Sequence, residues 1–279
     1  MFYGYGILNN HVPTLRATVM GGGVIVWDAD ALAFIASASI TDSTQKSAIN
    51  TLVTDLKNAS IWTKMKALYP FVGGTAAQHR FNLKSPGTTA ADFYLDFFGG
   101  GTHSAAGYLP NGASYADTKF NPITVSQSLT STHLSVYTTI ANTSGTSRGY
   151  IGSIQTDSTN YATLGYFSAG TLEVGVIGGS SVEYAGRTGA FAGFKLTSTN
   201  GDRFNRYFKN NSKIDTLLQT NSFYNTNMYL GAINYIGSPA YYQTVPFVFS
   251  SIGDGLTDAE ATAFYNAVQA YQTTLGRNV

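Results

Sequence analysis

From His79 to Ser251 the chain is broken by Gly, Asn and Ser into about ten short runs of apolar and aromatic residues, the pattern of strands joined by tight turns. The runs are His79 to Lys84, Phe93 to Phe98, His133 to Ile140, Gly149 to Gln155, Tyr161 to Phe167, Thr171 to Ile177, Phe191 to Thr197, Phe204 to Lys209, Met228 to Ile233 and Pro246 to Ser251. In "TLEVGVI", Leu172, Val174 and Val176 share one face while Glu173 and Gly175 take the other. "YFKNNSKID" puts Asn210 and Asn211, which tolerate positive φ, where a two-residue hairpin needs them. The expected fold is mainly β: an antiparallel two-sheet jelly-roll sandwich with a small N-terminal helical unit and a C-terminal helix.

Both ends depart from this texture. Residues 1–27 are rich in Gly, Asn and aromatics and read as an extended arm, with a strand at Val24 to Trp27. Residues 28–72 read as a helical unit. Asp28 or Asp30 is the first N-cap, Asp42 and Gln45 have capping-box spacing, and Ala48, Ile49, Leu52, Val53 and Leu56 form a stripe. Ile61, Met65 and Leu68 extend that stripe to Pro70. Residues 73–279 form the sandwich domain, closing on a helix over 257–275 with Thr257 and Glu260 as its capping box. Ala261, Phe264, Tyr265, Val268, Tyr271 and Leu275 are its apolar stripe, expected to cover an edge or end of the sandwich.

Charge excludes some functions. With 16 basic and 15 acidic residues the chain carries no electrostatic footprint for nucleic acid. Charged residues are 11% of the sequence, against roughly 25% in ordinary soluble domains. Tyr, Asn, Ser and Thr must therefore cover the surface, as in an assembled or extracellular β-protein. There is no cysteine. The first residues lack the pattern of a signal peptide, and the apolar run after them is interrupted by Asp28 and Asp30, so neither an export signal nor a membrane span is expected.

Catalytic and cofactor patterns are weak, and no catalytic, cofactor or metal site is assigned. His11, His79, His103 and His133 lie far apart with no metal-ligand spacing. Glycoside hydrolysis needs two carboxylates astride the scissile bond. Glu173 and Glu183 stand alone and read as solvated strand faces or loop ends, and Asp92 and Asp96 as an outward polar pair on one strand. The glycine clusters lack phosphate-loop spacing, and Gly253 to Gly255 lacks the alternating acids of a calcium loop. Stacking on sugars is better served. Phe223 and Tyr224 in "NSFYNTN", and Tyr241 and Tyr242 in "SPAYYQ", are candidate glycan-binding residues on rim loops.

The last third resembles the concanavalin A-like, laminin-G-like sandwich superfamily. The resemblance lies in the Asn210–Asn211 hairpin, the strand "MYLGA" (Met228 to Ala232), and the helix opening Leu256, Thr257, Asp258, Glu260. That superfamily usually has Asn-Gly at the hairpin. A second stretch, running from "DADALAFIASASITDS" through "YPFVGG" to "FFGGGTHSAAGYLPNG", resembles a module of bacteriophage virion proteins. The resemblance implies a non-enzymatic structural or attachment protein at the particle surface, whether capsid decoration, spike or fibre. Its N-terminal region would dock to other virion proteins, and a homo-oligomer is expected. The alternative is a lectin-like module binding a host cell-surface glycan, and the third reading is a glycoside hydrolase.

Overall fold

The computed structural model describes residues 26–279 except 156–159, 168–171, 180–184 and 220. Its elements in chain order are α1 (Ala29–Ser37), α2 (Ser43–Asn58), β1 (Met65–Tyr69), α3 (Ala76–His79), β2 (Asp96–Phe98), β3 (Thr102–Ser104), β4 (Gly107–Leu109) and β5 (Tyr115–Asp117). The longer strands follow: β6 (Ser131–Thr138), β7 (Arg148–Ile154), β8 (Tyr161–Phe167), β9 (Leu172–Gly179), β10 (Ala185–Thr188), β11 (Gly193–Asn200), β12 (Phe204–Lys209) and β13 (Ser212–Leu218). The chain ends through β14 (Tyr229–Leu230), β15 (Ile233–Tyr235), β16 (Ser238–Ala240), β17 (Phe247–Gly253) and α4 (Asp258–Thr274).

The strands form two sheets. One has eight strands in the order β13-β12-β11-β6-β17-β4-β3, with β1 also on β17. The other has nine, β10-β9-β8-β7-β14-β5-β2, with β15 and β16 attached beside β7. The described pairs are antiparallel except β15 on β7. Leu134, Val136 and Ile252 of the first sheet meet Ile151, Leu164 and Leu230 of the second in the buried space between them. This is the expected sandwich.

The helices cover the other face of the eight-stranded sheet. Phe34, Leu52 and Leu56 of α1 and α2, and Phe264, Val268 and Tyr271 of α4, share one buried cluster with Tyr137, Phe194, Leu196 and Phe249 of the sheet. Thr257 and Glu260 form the capping box of α4, and Gly276 follows its end at φ 65°. The helix therefore lies on a sheet face, where an edge or end was expected. The entry to α1 is fixed by Asn50, which accepts from the Asp28 amide at 2.7 Å and donates to the Val26 carbonyl at 3.1 Å.

Some sequence expectations fail for identifiable reasons. Met65 and Leu68 extend no helix: α2 ends at Asn58, Ser60 turns back at φ 59°, and Met65 begins β1. A bulge between Met65 and Ala67 puts residues three apart on one face, which imitates a helical period. His79 to Lys84 is no strand either. Beside β1 a buried side chain replaces a strand partner, Asn82 accepting from the Leu68 amide at 2.8 Å and donating to the Lys66 carbonyl at 3.0 Å. "MYLGA" breaks at Gly231, φ 80°, into β14 and β15. Asn210 does turn the β12–β13 hairpin, at φ 50°, and its side chain accepts from the Phe194 amide at 2.9 Å. The arm, apart from Val26 and Trp27, lies outside the described residues, as do His11 and Glu183.

Phe264 is fully buried between His133, Phe194 and Phe249. Phe264→Ala is expected to lower unfolding free energy by roughly 3–5 kcal/mol, the usual cost of a phenyl-sized core cavity, as read by urea denaturation.

Candidate functional site

On β5 the inward residue is Ala116, so Tyr115 and Asp117 point out of the sandwich. On β14 Leu230 is inward and Tyr229 outward, and on β2 Phe97 packs inward while Asp96 and Phe98 face out. These three strands are neighbours, with Phe98 opposite Tyr115 and Tyr229 opposite Asp117. The register thus assembles a row of rings on the outer face of the nine-stranded sheet. Phe98 stacks on Tyr115 at 5.1 Å and 18°, and Tyr115 meets Tyr229 at 4.7 Å and 35°. Phe98 is 42% exposed and the two tyrosines are half-buried.

Beside the rings the same register sets Asp96 opposite Asp117, a like-charge pair that would destabilise the sheet alone. Lys119, at φ 58°, turns back and lies 3.2 Å from Asp96 and 3.1 Å from Asp117. Burial works against its charge, but the two carboxylates outweigh that and hold the ammonium above its ordinary pKa. Asn227 donates to both oxygens of Asp117 at 3.1 and 3.2 Å. A cavity of about 300 Å³ opens at the adjoining sheet edge between Arg80, Asp96 and Phe97.

The four aromatics singled out in sequence do not form one site. Tyr242 reaches the row, 6.3 Å from Tyr115. Tyr241, its neighbour, turns instead to Phe167 at 5.6 Å and Tyr235 at 6.0 Å. Tyr224 is half-buried in its loop, and Phe223 is only 6% exposed within the inter-sheet core, so it presents no face to a ligand. Phe98, Tyr115 and Tyr229 escaped sequence reasoning because their strands are two or three residues long, too short for alternation to show. The available signal was an aromatic and an acid flanking one small residue in "YAD".

Glu173 is not a solvated strand end. The non-valine face of β9 is the inner one, and Glu173 and Lys195 are both fully buried between the sheets with Nζ 3.8 Å from Oε1. Tyr150 donates to Glu173 at 2.6 Å and Tyr207 at 3.2 Å. Lys195 donates to the Phe191 carbonyl at 2.8 Å, the Thr138 hydroxyl at 2.9 Å and the Gly193 carbonyl at 3.3 Å. Burial pushes the carboxyl up against the opposing charge of Lys195, and pulls the ammonium down to about 8 against that of Glu173. Asp92 and Asp96 share no strand face: Asp92 caps a short turn at Thr89, outside β2.

The fold also pairs two histidines that the sequence separates, His79 and His103, with Nδ1 atoms 2.9 Å apart. Burial, then His103 and Arg277, lower the pKa of His79 to about 3. His133 is buried elsewhere, donating from Nδ1 to the Asp254 carbonyl at 2.6 Å and accepting at Nε2 from Ser251 at 2.9 Å. Among the described residues no group of three or more His, Cys, Asp or Glu is placed to hold a metal, and no helix is long and apolar enough to cross a membrane.

No protein-family model and no curated protein sequence matches the chain. Solved structures share its architecture. A mutant of Trypanosoma rangeli sialidase with trans-sialidase activity aligns with TM-score 0.52 at 9% identity, over 80% of this chain and 39% of that one. The botulinum neurotoxin serotype D binding domain aligns with TM-score 0.50 at 10% identity, over 74% of this chain and 52% of that one. A Ruminococcus gnavus sialidase CBM40 aligns with TM-score 0.41 at 15% identity, over 61% of this chain and 95% of its own. The chain thus spans about two fifths of the first and half of the second. At such identities the likeness concerns fold alone, and the class it defines is a mainly antiparallel two-sheet β-sandwich.

Lys195→Met is expected to cost roughly 3–5 kcal/mol by stranding a buried carboxylate, and Glu173→Gln in the same chain to recover part of it, in urea denaturation of the single and double variants. A second expectation concerns acid. Burial lowers the pKa of His133 from 6.5 to about 4, against the Asp254 carbonyl, so between those values the unfolded chain binds protons that the folded chain does not. Stability should be complete above about pH 6.5 and fall as pH drops towards 4, with His79 adding to the loss. Thermal unfolding followed across that range tests this, and a flat profile would contradict it.

Proposed function

We propose that the protein is a carbohydrate-binding sandwich module that holds its ligand on the outer face of the nine-stranded sheet. The observation that carries this reading is the row of Phe98, Tyr115 and Tyr229, solvent-facing and flanked by the Asp96 and Asp117 carboxylates. The ring surface that the stacking leaves in water, above all on Phe98, gains by covering, and the apolar face of a sugar can cover it while the exposed Asp96 carboxylate accepts from hydroxyls. A shared scaffold says nothing of ligand, so the reading rests on this surface. The module is read as binding without turnover. Glu173 is sealed between the sheets and engaged by Tyr150 and Tyr207, and the two carboxylates beside the rings, Asp96 and Asp117, are both paired with Lys119. The sequence resemblance supplies the proposed setting: an attachment component at a phage particle surface, docked through its N-terminal region and repeated as a homo-oligomer, where weak sites gain avidity.

A glycan array tests the reading. Wild-type protein is expected to bind a subset of the printed glycans, and Phe98→Ala or Tyr115→Ala to weaken binding roughly tenfold, the order of a lost hot-spot ring. The melting temperature of Phe98→Ala should fall only slightly, because the ring is 42% exposed and loses little beyond its stacking on Tyr115. A blank array with wild-type protein would end the proposal.

A further inference from the structure

The row of rings has a direction and is open at its β2 end, while beyond β14 the β15–β16 hairpin, with Ile233 and Tyr235, covers the outer face of the sheet. Phe98, Tyr115 and Tyr229 stand on successive strands, so the row runs across the sheet at about the 4.8 Å spacing between strands. The centroid steps of 5.1 and 4.7 Å follow that spacing. At one end β2 is the last strand in the order, and Gly99 and Gly100 follow Phe98 with exposed backbone, φ 78° and 73°. Neither carries a side chain to close the row. The edge cavity, bordered by Asp96, and a second of about 390 Å³ between Phe93, Lys119 and Asn227 include none of the three rings in their lining. A site for a single sugar surrounds its ligand on several sides, whereas a row open at the edge strand lets a chain run on beyond it.

The charge beside the row is also one-sided. Asp96 is 41% exposed at its side chain, while Lys119 is 18% exposed and divided between two carboxylates. The guanidinium of Arg80 lies over the Tyr94 ring at 4.6 Å, and that of Arg148 donates to the Tyr242 carbonyl at 2.6 Å. A ligand lying on the rings therefore meets a carboxylate before it meets a cation, which favours hydroxyl donors and opposes acidic groups.

Resting on the glycan-binding reading, we infer that the row takes several residues of an extended, uncharged oligosaccharide that lies across the strands and runs out past the β2 edge, rather than a single or acidic sugar. The probes are neutral glucose and N-acetylglucosamine oligomers from monosaccharide to hexasaccharide, together with a mixed mammalian and bacterial array whose neutral glycans have sialylated, sulfated and uronic-acid counterparts. Affinity should climb roughly tenfold or more from monosaccharide to trisaccharide in a neutral series, and acidic counterparts should bind more weakly than their neutral partners. Phe98→Ala, at the open end, should flatten the dependence on length while Asp96→Asn narrows the gap between neutral and acidic glycans. Binding that is complete at one sugar, or that prefers the acidic counterpart, would overturn the inference and leave glycan binding standing. No binding to any probe would remove both.

Discussion

The outer face of the eight-stranded sheet cannot be left in water, and the rest of the architecture follows from covering it. Tyr137, Phe194, Leu196, Phe208, Val248 and Phe249 all lie in the cluster on that side. The cover comes from helices at both ends of the described chain, α1 and α2 before the strands and α4 after them. Two links tie the ends together. Lys64 pairs with the α4 capping acid Glu260 at 2.6 Å, and buried Arg277 donates to the Phe71 carbonyl at 2.8 Å. Tyr271 adds a bond to the Pro70 carbonyl at 2.9 Å. The stretch "YPFVGG" is thus where the end of the chain is fastened, and Phe71 is held there in a left-handed conformation, φ 47°. With one sheet face roofed by helices, a binding surface on a sheet falls to the other.

The interior of the sandwich carries a different constraint. A fully buried ion pair gains little net stability over an apolar replacement, because desolvation offsets the attraction. Glu173 and Lys195 nevertheless sit on strands of opposite sheets, β9 and β11, and their hydrogen bonds recruit β7 and β12 through Tyr150 and Tyr207. Sliding any of these strands by one residue would leave a charge without partners, a far larger penalty than a misplaced methyl group. The network therefore discriminates between registers more than it adds to stability, and the proposed binding face depends on such registers being fixed.

How much of this was legible in the sequence varied with element length. Two strands, β8 and β12, coincide with their predicted runs to the residue, the eight-residue β6, β9 and β11 lie within three residues of theirs, and β13 was legible only as the far arm of the Asn210 hairpin. The hairpin at Asn210 and the box at Thr257 were legible because local backbone chemistry dictates them. Strands of two or three residues were invisible or misjoined, and those strands build the candidate site. Glu173 was misjudged because alternation tells which residues share a face but not which face is inside. Val174 and Val176 are buried too, beneath Ile233 and Tyr235 on the far side of the sheet, so both faces of β9 are covered. The His79–His103 contact depends on tertiary placement of α3 against β3, which no local spacing encodes.

The loop after β16 fixes part of that far face. Tyr241 adopts φ 55°, uncommon for a residue with a bulky side chain and costing on the order of 1–3 kcal/mol. The strained turn sends two adjacent tyrosines to different places. Tyr241 packs against Phe167 and Tyr235, and Tyr242 goes to Tyr115 beside the ring row. Both backbone carbonyls are pinned, that of Tyr241 by the Gly149 amide at 2.7 Å and that of Tyr242 by Arg148 at 2.6 Å. Packing of the first ring and the two carbonyl bonds offset the strain without any contribution from a ligand. The second ring is therefore in place beforehand, and binding need not meet the entropy of ordering it. A surface whose rings are set by strand register on one side and by a pinned loop on the other is rigid, which suits repeated weak contacts with a flexible chain.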